Sequence, residues 1–202
     1  MTGGEPAILP HLPDMIAYAL PRMHVTLLTN GLLWRGARLA RLENAQRTAD
    51  SKGLTLQISL DSGSPAIHDQ YRGAGTWTKT VAAIQLLRER GFHVRTGATE
   101  TVHGEAQRRE LDVFLDELGI SKQDRITRPV AKRGAAQEGL ELTGADLVPE
   151  LTVAVDGVYW HPVGTDEDMR LTNTVFPLRT AADQMLRLWH TISKQANPDV
   201  FR

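Results

Sequence analysis

The sequence has 202 residues, of which 41% are hydrophobic and 23% are charged, with a formal net charge of −1. These values are typical of one sizeable globular domain with a small appendage, and the near-zero charge gives no basis for binding nucleic acid or an anionic membrane surface. There is no apolar run near the roughly 20 residues of a membrane-spanning helix and no signal-peptide pattern, so we expect a cytoplasmic protein.

The sequence contains no cysteine. Disulfides, thiolate nucleophiles and metal or iron–sulfur sites ligated by cysteine are therefore excluded within these residues. Any chemistry that needs a cysteine ligand cannot be carried out by these residues alone.

Strand-like and helical segments alternate along the first part of the chain. Strands are predicted over 24–29, 54–61, 92–99 and 124–130, and helices over 12–20, 37–50, 77–90 and 105–118, with Thr76 as the N-cap of the third helix. Short strands that alternate with amphipathic helices indicate βα units and a parallel sheet. We therefore predict the α/β class, with a site at the C-terminal ends of the strands.

The pattern changes after residue 130. Residues 132–150 combine glycine, charge and a proline and are predicted to form a linker. A β-hairpin with its turn at Asp156-Gly157 is predicted next, followed by a helix over 178–194 whose apolar face includes Leu186, Leu188 and Trp189. We therefore predict two domains, residues 1–130 and residues 131–202.

The polar side chains of the second and third predicted strands each fall on one face of the strand. They are Thr55, Gln57, Ser59 and Asp61 in the second strand, and His93, Arg95 and Thr99, together with Gly97, in the third. A parallel strand covered on both faces is usually apolar throughout, so this pattern indicates either a polar, ligand-binding cavity or an edge strand with one solvated face. Arginines directed into a sheet's interior need an anionic partner, so Arg95 and Arg128 predict either an anionic ligand or solvent exposure.

The chain begins with the turn-like sequence Gly3-Gly4-Glu5-Pro6. The two glycines allow close approach of the backbone to a ligand, and the Glu5 carboxylate can accept hydrogen bonds from an ammonium group. An exposed N-terminal tail would account for the same residues.

A series of motifs occurs in order at the spacing of successive βα units. They are GGEP (3–6), LLTNG (27–31), QISLD (57–61), IHDQYRGAGTW (67–77) and GFHVRTGATET (91–101). Together they resemble the core domain of the radical S-adenosylmethionine (SAM) superfamily, from its second strand onward, over about residues 2–130. The resemblance implies a partial, TIM-like parallel barrel with SAM bound across its mouth.

The resemblance also implies SAM-binding roles for particular residues, while it identifies no catalytic residue and no metal ligand. In this family the GGEP segment holds the methionyl amino group, which corresponds to Gly3, Gly4 and Glu5. Contacts to the ribose or carboxylate correspond to Ser59 and Asp61. The strand end that lines the same cavity carries Thr29 and Asn30, and Arg72 is a further candidate near the substrate or the SAM carboxylate.

The sequence departs from the family pattern in its cluster ligands. Family members hold a [4Fe–4S] cluster with cysteines spaced CxxxCxxC after the first strand, and the reduced cluster cleaves SAM to a 5′-deoxyadenosyl radical. This sequence has neither that strand nor a cysteine. We expect the chain to be inactive alone and to expose a barrel edge that favours oligomers or partner binding.

The C-terminal part is similar to the hairpin of an auxiliary-cluster extension of the SPASM or twitch type. A cysteine commonly follows that hairpin, whereas His161-Pro162 stands near that place here. We interpret His161 as a packing residue and the acidic residues 166–168 as a solvated loop rather than as metal ligands. The extension indicates a peptide or small-molecule substrate.

Three hypotheses follow from the resemblance and the missing cysteines. In the first, the chain is an N-terminally truncated form of a radical SAM oxidoreductase. In the second, it is a non-catalytic relative that binds SAM or a partner. In the third, it is one half of a split enzyme whose cluster comes from another subunit. The sequence upstream of Met1 would distinguish the first hypothesis from the others.

Overall fold

The computed structural model describes residues 1–47, 52–100, 104–129, 147–161 and 167–195. The chain divides into two compact units, Met1–Arg128 and Pro129–Arg202. The assignment of an auxiliary-cluster type to the C-terminal part stays a prediction. None of the described helices is long and apolar enough to cross a membrane.

The first unit is built on a four-stranded sheet in the order β1-β2-β3-β4. The strands are β1 (Val25–Thr29), β2 (Leu54–Ser59), β3 (His93–Glu100) and β4 (Arg125–Pro129). Strand β2 pairs in parallel with β1 on one side and with β3 on the other. The predicted α/β class is confirmed, and the sheet is open rather than closed into a complete barrel.

Five described helices accompany this sheet. They are α1 (Leu12–Ala19), α2 (Gly36–Arg47), α3 (Pro65–Arg72), α4 (Thr76–Glu89) and α5 (Gly104–Glu117), with short 3-10 helices at Pro6–Ile8 and Lys122–Asp124. Four of the helices match predicted segments within a few residues, and the predicted positions 48–50 lie outside the described residues. Helix α3 is not predicted, because its 8 residues are too few to show an apolar period.

The apolar face of the sheet packs against the helices. Leu27, Leu56 and Ile58 from the strands and Leu42 and Ile84 from the helices are all 0% exposed. Full burial of one such side chain contributes about 1.5–3 kcal/mol, so this layer dominates the stability of the first unit.

The opposite face of the sheet is polar. Strand β2 lies between β1 and β3, and its polar side chains Thr55 and Gln57 are only 1% and 8% exposed. The edge-strand explanation of the alternation in β2 is therefore wrong, because edge strands have one neighbour and a solvated face.

The backbone of Met1 continues the sheet beyond β1. Its ammonium group donates to the Thr26 carbonyl at 2.7 Å, and its carbonyl accepts from the Leu28 amide at 3.0 Å. This is the hydrogen-bonding pattern of a parallel neighbour of β1. Part of the edge of β1 is thus paired, and the binding of a partner along this edge stays a prediction.

The second unit contains an antiparallel sheet of β5 (Thr152–Ala154), β6 (Gly157–Tyr159) and β7 (Arg170–Thr172), followed by helix α6 (Leu178–Gln195). Because Ala154 pairs with Gly157, the hairpin turn is Val155-Asp156 rather than the predicted Asp156-Gly157. A Cβ atom at Gly157 would lie 2.5 Å from the Thr172 carbonyl oxygen. The glycine is therefore needed for the close approach of β7, a strand that the sequence analysis does not predict.

Only part of the predicted apolar face of helix α6 packs against the core. Ala181 and Met185 are buried and Leu188 lies against the core of the second unit, whereas Leu186 is 57% exposed. Residues 181, 185 and 188 follow the i, i+4, i+7 spacing of one helix face, and residue 186 falls outside it.

Candidate functional site

The carboxylate of Glu5 ties the N-terminal turn to the C-terminal end of β1. Its Oε1 atom accepts hydrogen bonds from the Thr29 hydroxyl at 2.6 Å and from the Ala7 amide at 2.9 Å. Its Oε2 atom accepts from the Asn30 amide at 2.7 Å. The local sequence favours this arrangement because Pro6 starts a 3-10 helix for which Glu5 is the N-cap.

The hydrogen-bonding capacity of Glu5 is not exhausted by these contacts. A carboxylate offers about four acceptor positions, and the bonds from Thr29, Ala7 and Asn30 use three of them. All three donors are neutral, so no cation from the described residues compensates the charge of Glu5. One acceptor position and one negative charge remain for a ligand.

Gly3 and Gly4 lie directly before this carboxylate in an open stretch of backbone. Their φ angles are +105° and +46°, and apart from the adjacent residues no described atom lies within 4 Å of the Cβ position at either glycine. These angles are strained for other residues, and the empty space lets a ligand approach the main chain. The glycines and Glu5 thus form a continuous, accessible surface.

Thr29 and Asn30 support Glu5 in different ways. The Thr29 hydroxyl, 3% exposed, donates to Glu5 and accepts from the Gly31 amide at 3.2 Å and the Trp34 indole at 3.3 Å. Its donor and both lone pairs are used, which favours a positioning role over direct ligand contact. Asn30 accepts from the Leu32 amide at 2.9 Å through Oδ1, which leaves its side-chain NH₂ without a partner among the described residues.

The carboxylate of Asp61 joins the C-terminal ends of β2 and β3. Arg72 donates to both its oxygens, from Nε at 2.5 Å and from Nη2 at 3.1 Å, and the Thr99 amide donates at 2.9 Å. The Asp61 side chain is 3% exposed and that of Arg72 is 37% exposed. The two predicted site residues are therefore brought together as an ion pair that holds the sheet edge.

His68 in α3 contributes to the same region. Its ring is 1% exposed, and Nδ1 accepts a hydrogen bond from the Asp61 amide at 3.3 Å. Burial lowers the pKa of His68, although the negative charge of Asp61 opposes the shift. A neutral ring is what an acceptor role at Nδ1 requires, so His68 supports the chain at the end of β2.

Asp69 in α3 caps the following helix. Its carboxylate accepts from the amides of Gly75 at 2.6 Å and Trp77 at 2.8 Å, and from the Thr76 hydroxyl at 3.3 Å. The predicted N-cap at Thr76 is wrong, because α4 begins at Thr76 with Gly75 at the N-cap position. The hydrogen bond from Trp77 is the main cause that lowers the pKa of Asp69.

Ser59 lies at the end of β2 on the polar face, opposite Gly97 of β3. It is partly exposed, and its side chain forms no hydrogen bond within the described residues. Its hydroxyl is thus available to a ligand at the same sheet edge as Glu5 and Asp61.

Other residues of the polar face were not assigned to a site by the sequence analysis. Below Ser59 lie Gln57 and its register partner Arg95, whose Nε atom is buried without a hydrogen-bond partner. The alternating polar pattern predicts that both residues lie on this face, but it does not show which of their side-chain groups form hydrogen bonds.

The N-terminal end of the polar face is closed by a chain of hydrogen bonds. The Thr55 hydroxyl lies 3.1 Å from His24 Nε2 and 3.0 Å from His93 Nδ1, and His93 Nε2 lies 2.7 Å from Asp124 Oδ1. Burial acts to raise the pKa of Asp124, but hydrogen bonds from Ser121 and His93 hold it below its usual value. These polar groups are hydrogen-bonded to one another.

The residues present fit SAM but do not fit an iron–sulfur cluster. Within the part of the chain that the structure describes, no three histidine or acidic side chains converge in a way that could hold a metal ion, and the sequence has no cysteine. By contrast, the uncompensated Glu5 carboxylate beside the open Gly3-Gly4 backbone has the chemistry to receive the ammonium group of an amino acid.

Comparison with known proteins identifies the family. The profile described as "Radical SAM superfamily" matches residues 1–118. Mycofactocin maturase MftC of Mycobacterium ulcerans (strain Agy99) is 29% identical over 148 residues, which are 72% of this chain and 38% of the relative. The antilisterial bacteriocin subtilosin biosynthesis protein AlbA of Bacillus subtilis (strain 168) is 33% identical over 97 residues, which are 47% of this chain and 20% of the relative.

Solved structures show the same fold. SuiB of Streptococcus suis bound to S-adenosylmethionine superposes with a TM-score of 0.51 at 21% identity, over 64% of this chain and 28% of that chain. A further SuiB structure gives a TM-score of 0.52 at 16% identity, over 97% of this chain and 36% of that chain. The chain thus spans less than two fifths of the length of these proteins. The family match covers more than half of the sequence and agrees with the motifs from GGEP onward, so the chain belongs to the radical SAM superfamily.

Proposed function

We propose that this chain is the SAM-binding part of a radical SAM oxidoreductase whose [4Fe–4S] cluster is ligated by cysteines outside these 202 residues. The observation that carries the proposal is the Glu5 carboxylate, which is fixed at the C-terminal end of β1 and has no cationic partner among the described residues. The cluster supplies the reducing electron in this family.

Recognition of the SAM amino group rests on Gly3, Gly4 and Glu5. The remaining acceptor position of Glu5 receives the ammonium group, and the open glycine backbone lets the methionyl part approach closely. A charge-assisted hydrogen bond of this kind contributes about 1.5–3 kcal/mol, which corresponds to at least about tenfold in affinity.

Among the other predicted site residues, some contact SAM directly and others position the residues that do. Ser59 and Asn30 present donors that are free within the described residues, and they suit the ribose and carboxylate oxygens of SAM. Thr29 positions Glu5, and the Asp61–Arg72 pair shapes the sheet edge instead of contacting the cofactor directly.

The substrate is proposed to be a peptide or a small molecule. The names of MftC, a mycofactocin maturase, and AlbA, a subtilosin biosynthesis protein, favour a peptide. The name of another relative, the AdoMet-dependent heme synthase of Oleidesulfovibrio alaskensis, supports a small molecule as the alternative substrate.

Calorimetric titration with SAM and with 5′-methylthioadenosine tests the cofactor site. 5′-Methylthioadenosine has the nucleoside and the sulfur but lacks the amino acid group. We expect Glu5→Gln to weaken SAM binding about tenfold or more and to leave 5′-methylthioadenosine binding unchanged. Equal losses for both ligands would contradict a contact between Glu5 and the amino group.

A non-catalytic, SAM-binding relative is the second candidate, and the absence of cysteine is the observation that favours it. Anaerobic reconstitution with iron and sulfide is expected to load no cluster into this chain by itself. Formation of 5′-deoxyadenosine when a polypeptide with a CxxxCxxC motif is added would support the split or longer enzyme. SAM binding without 5′-deoxyadenosine in every such combination would support the non-catalytic relative.

A further inference from the structure

Arg95 lies in the middle of the sheet and carries a buried donor atom that has no hydrogen-bond partner among the described residues. It lies in β3, between β2 and β4, so its side chain starts from the interior of the sheet rather than from an edge. Its Nε atom is buried without a hydrogen-bond partner, and it forms no ion pair within the described residues. An unsatisfied, buried donor on a charged group costs free energy and calls for an explanation such as a missing ligand.

The neighbour of Arg95 in the sheet is Gln57, whose side-chain amide forms no hydrogen bond among the described residues. Gln57 is the register partner of Arg95 in β2 and is 8% exposed. A Cβ atom at Gly97 would lie 2.8 Å from Gln57 Nε2, so the Gln57 amide lies over Gly97, towards the C-terminal end of the sheet. Ser59, the register partner of Gly97, presents its hydroxyl on the same face.

The charged groups near Arg95 limit the kind of ligand that it can bind. The Asp124 carboxylate lies within electrostatic range of Arg95, but it is bonded to Ser121 and His93 and forms no ion pair with Arg95 among the described residues. Arg72 is bound to both oxygens of Asp61. One cation with neutral amide and hydroxyl donors therefore remains for a ligand on this part of the face. A planar monoanion matches a single guanidinium fork, whereas a phosphate dianion is usually held by more than one cation.

We propose that Arg95, Gln57 and Ser59 bind a carboxylate group of a ligand on the polar face of the sheet. The guanidinium pairs with the carboxylate, and the amide and hydroxyl donate to the same group. This proposal adds the chemistry of one ligand group to the proposed function. It rests on the proposed function only because it requires a ligand on this face of the sheet. The carboxylate comes either from the substrate or from SAM itself.

Nuclear magnetic resonance of the arginine Nε–H groups tests the site in the whole chain. The Arg95 signal is assigned by its loss in Arg95→Lys, which keeps the charge and removes the Nε–H. N-acetylglycine, titrated to millimolar concentration, represents a substrate carboxylate, and N-acetylglycinamide is its neutral control. SAM and 5′-methylthioadenosine form the second pair, in which only SAM has a carboxylate.

We expect the Arg95 signal to shift with at least one carboxylate ligand and with neither neutral control. A shift with N-acetylglycine assigns the site to the substrate, and a shift with SAM alone assigns it to the cofactor. Arg95→Lys is expected to weaken binding of the active ligand at least tenfold. No shift of the Arg95 signal with either carboxylate ligand overturns the proposal, even where SAM still binds through Glu5.

Two further variants separate this site from a general loss of structure. Gly97→Ala places a methyl group against the flexible end of Gln57 and is expected to weaken carboxylate binding while the chain stays folded. Arg41→Gln alters an exposed arginine paired with Asp14 and is expected to change nothing at Arg95. Equal effects of Arg41→Gln and Arg95→Lys would count against a specific site.

Discussion

Two carboxylates hold the C-terminal edge of the sheet, Glu5 at the end of β1 and Asp61 between β2 and β3. Asp61 is 3% exposed and is paired with Arg72 through both of its oxygens. Glu5 is partly exposed and receives hydrogen bonds from neutral donors only. Both side chains close a strand end, but only the Asp61 charge is compensated within the described residues.

The two carboxylates differ in the charge of the groups that bond to them, although both are acidic side chains. An ion pair with a buried carboxylate fixes local structure, and removal of one member leaves the other uncompensated. A carboxylate bonded only to neutral donors has no charged partner and can pair with a cation such as the SAM ammonium group. We therefore propose that the Asp61 region serves stability and the Glu5 region serves ligand binding, and substitutions can test that division.

The largest expected effect is on stability, from Asp61→Ala. The variant leaves the Thr99 amide and Arg72 without their acceptor, which we expect to cost about 2–3 kcal/mol of unfolding free energy. The value lies below that of a fully buried pair because Arg72 is 37% exposed and water screens its charge. The midpoint of urea denaturation measures the loss.

Asp61→Asn is the matched control, since its amide oxygen can still accept from Thr99 while the ion pair is lost, and about half of the destabilisation is expected. Glu5→Gln in the same assay is expected to cost about 1 kcal/mol or less, because neutral donors can bond to an amide oxygen. A loss below about 0.5 kcal/mol for Asp61→Ala is typical of an ordinary surface residue. It would contradict a stabilising role of Asp61 that Glu5 lacks.

Much of the Glu5 region could be predicted from the sequence. Its residues are close along the chain or lie at the end of β1, and the GGEP and LLTNG motifs are visible as short strings. Local chemistry also accounts for the turn, since glycines, a proline and an acceptor side chain are what a capped 3-10 helix needs.

The Asp61 region could be predicted only in part. Its pairing with Arg72 and the capping of α4 by Asp69 both depend on α3, which has no apolar period to reveal it. The missing hydrogen bond of Arg95 is harder still to predict. Alternation places the residue on the polar face, but whether its Nε atom finds a partner among the described residues depends on every element packed around it.

A smaller effect is expected from Thr29→Val, which removes the hydroxyl that positions Glu5. The change leaves the indole of Trp34, a residue that is 2% exposed, without its acceptor and removes one of the two hydrogen bonds to Glu5 Oε1. We expect a loss of about 1–2 kcal/mol in unfolding free energy together with weaker SAM binding. Thr29→Ser keeps the hydroxyl and should restore both, whereas equal results for valine and serine would exclude the positioning role.

The smallest expected effect is a pH dependence in the Asp61 region, from the Asp69 cap of α4. Hydrogen bonds, mainly from the Trp77 amide, lower the pKa of Asp69 in the folded chain. A lowered folded-state pKa means that the stabilisation is complete above the unfolded value, about 3.9 for aspartate, and is lost as pH falls through the folded value. The difference in urea midpoint between the wild type and Asp69→Ala should therefore be constant near neutral pH and narrow in acid.

Asp69→Asn separates charge from hydrogen bonding in this cap. Its amide oxygen accepts at every pH, so its stability relative to Asp69→Ala should not narrow in acid as that of the wild type does. Because the cap lies in the structural region, SAM affinity should be the same in all three proteins at neutral pH. A fall in SAM affinity for Asp69→Ala, comparable with that for Glu5→Gln, would show that α3 and α4 take part in cofactor binding and that the two regions are not separate.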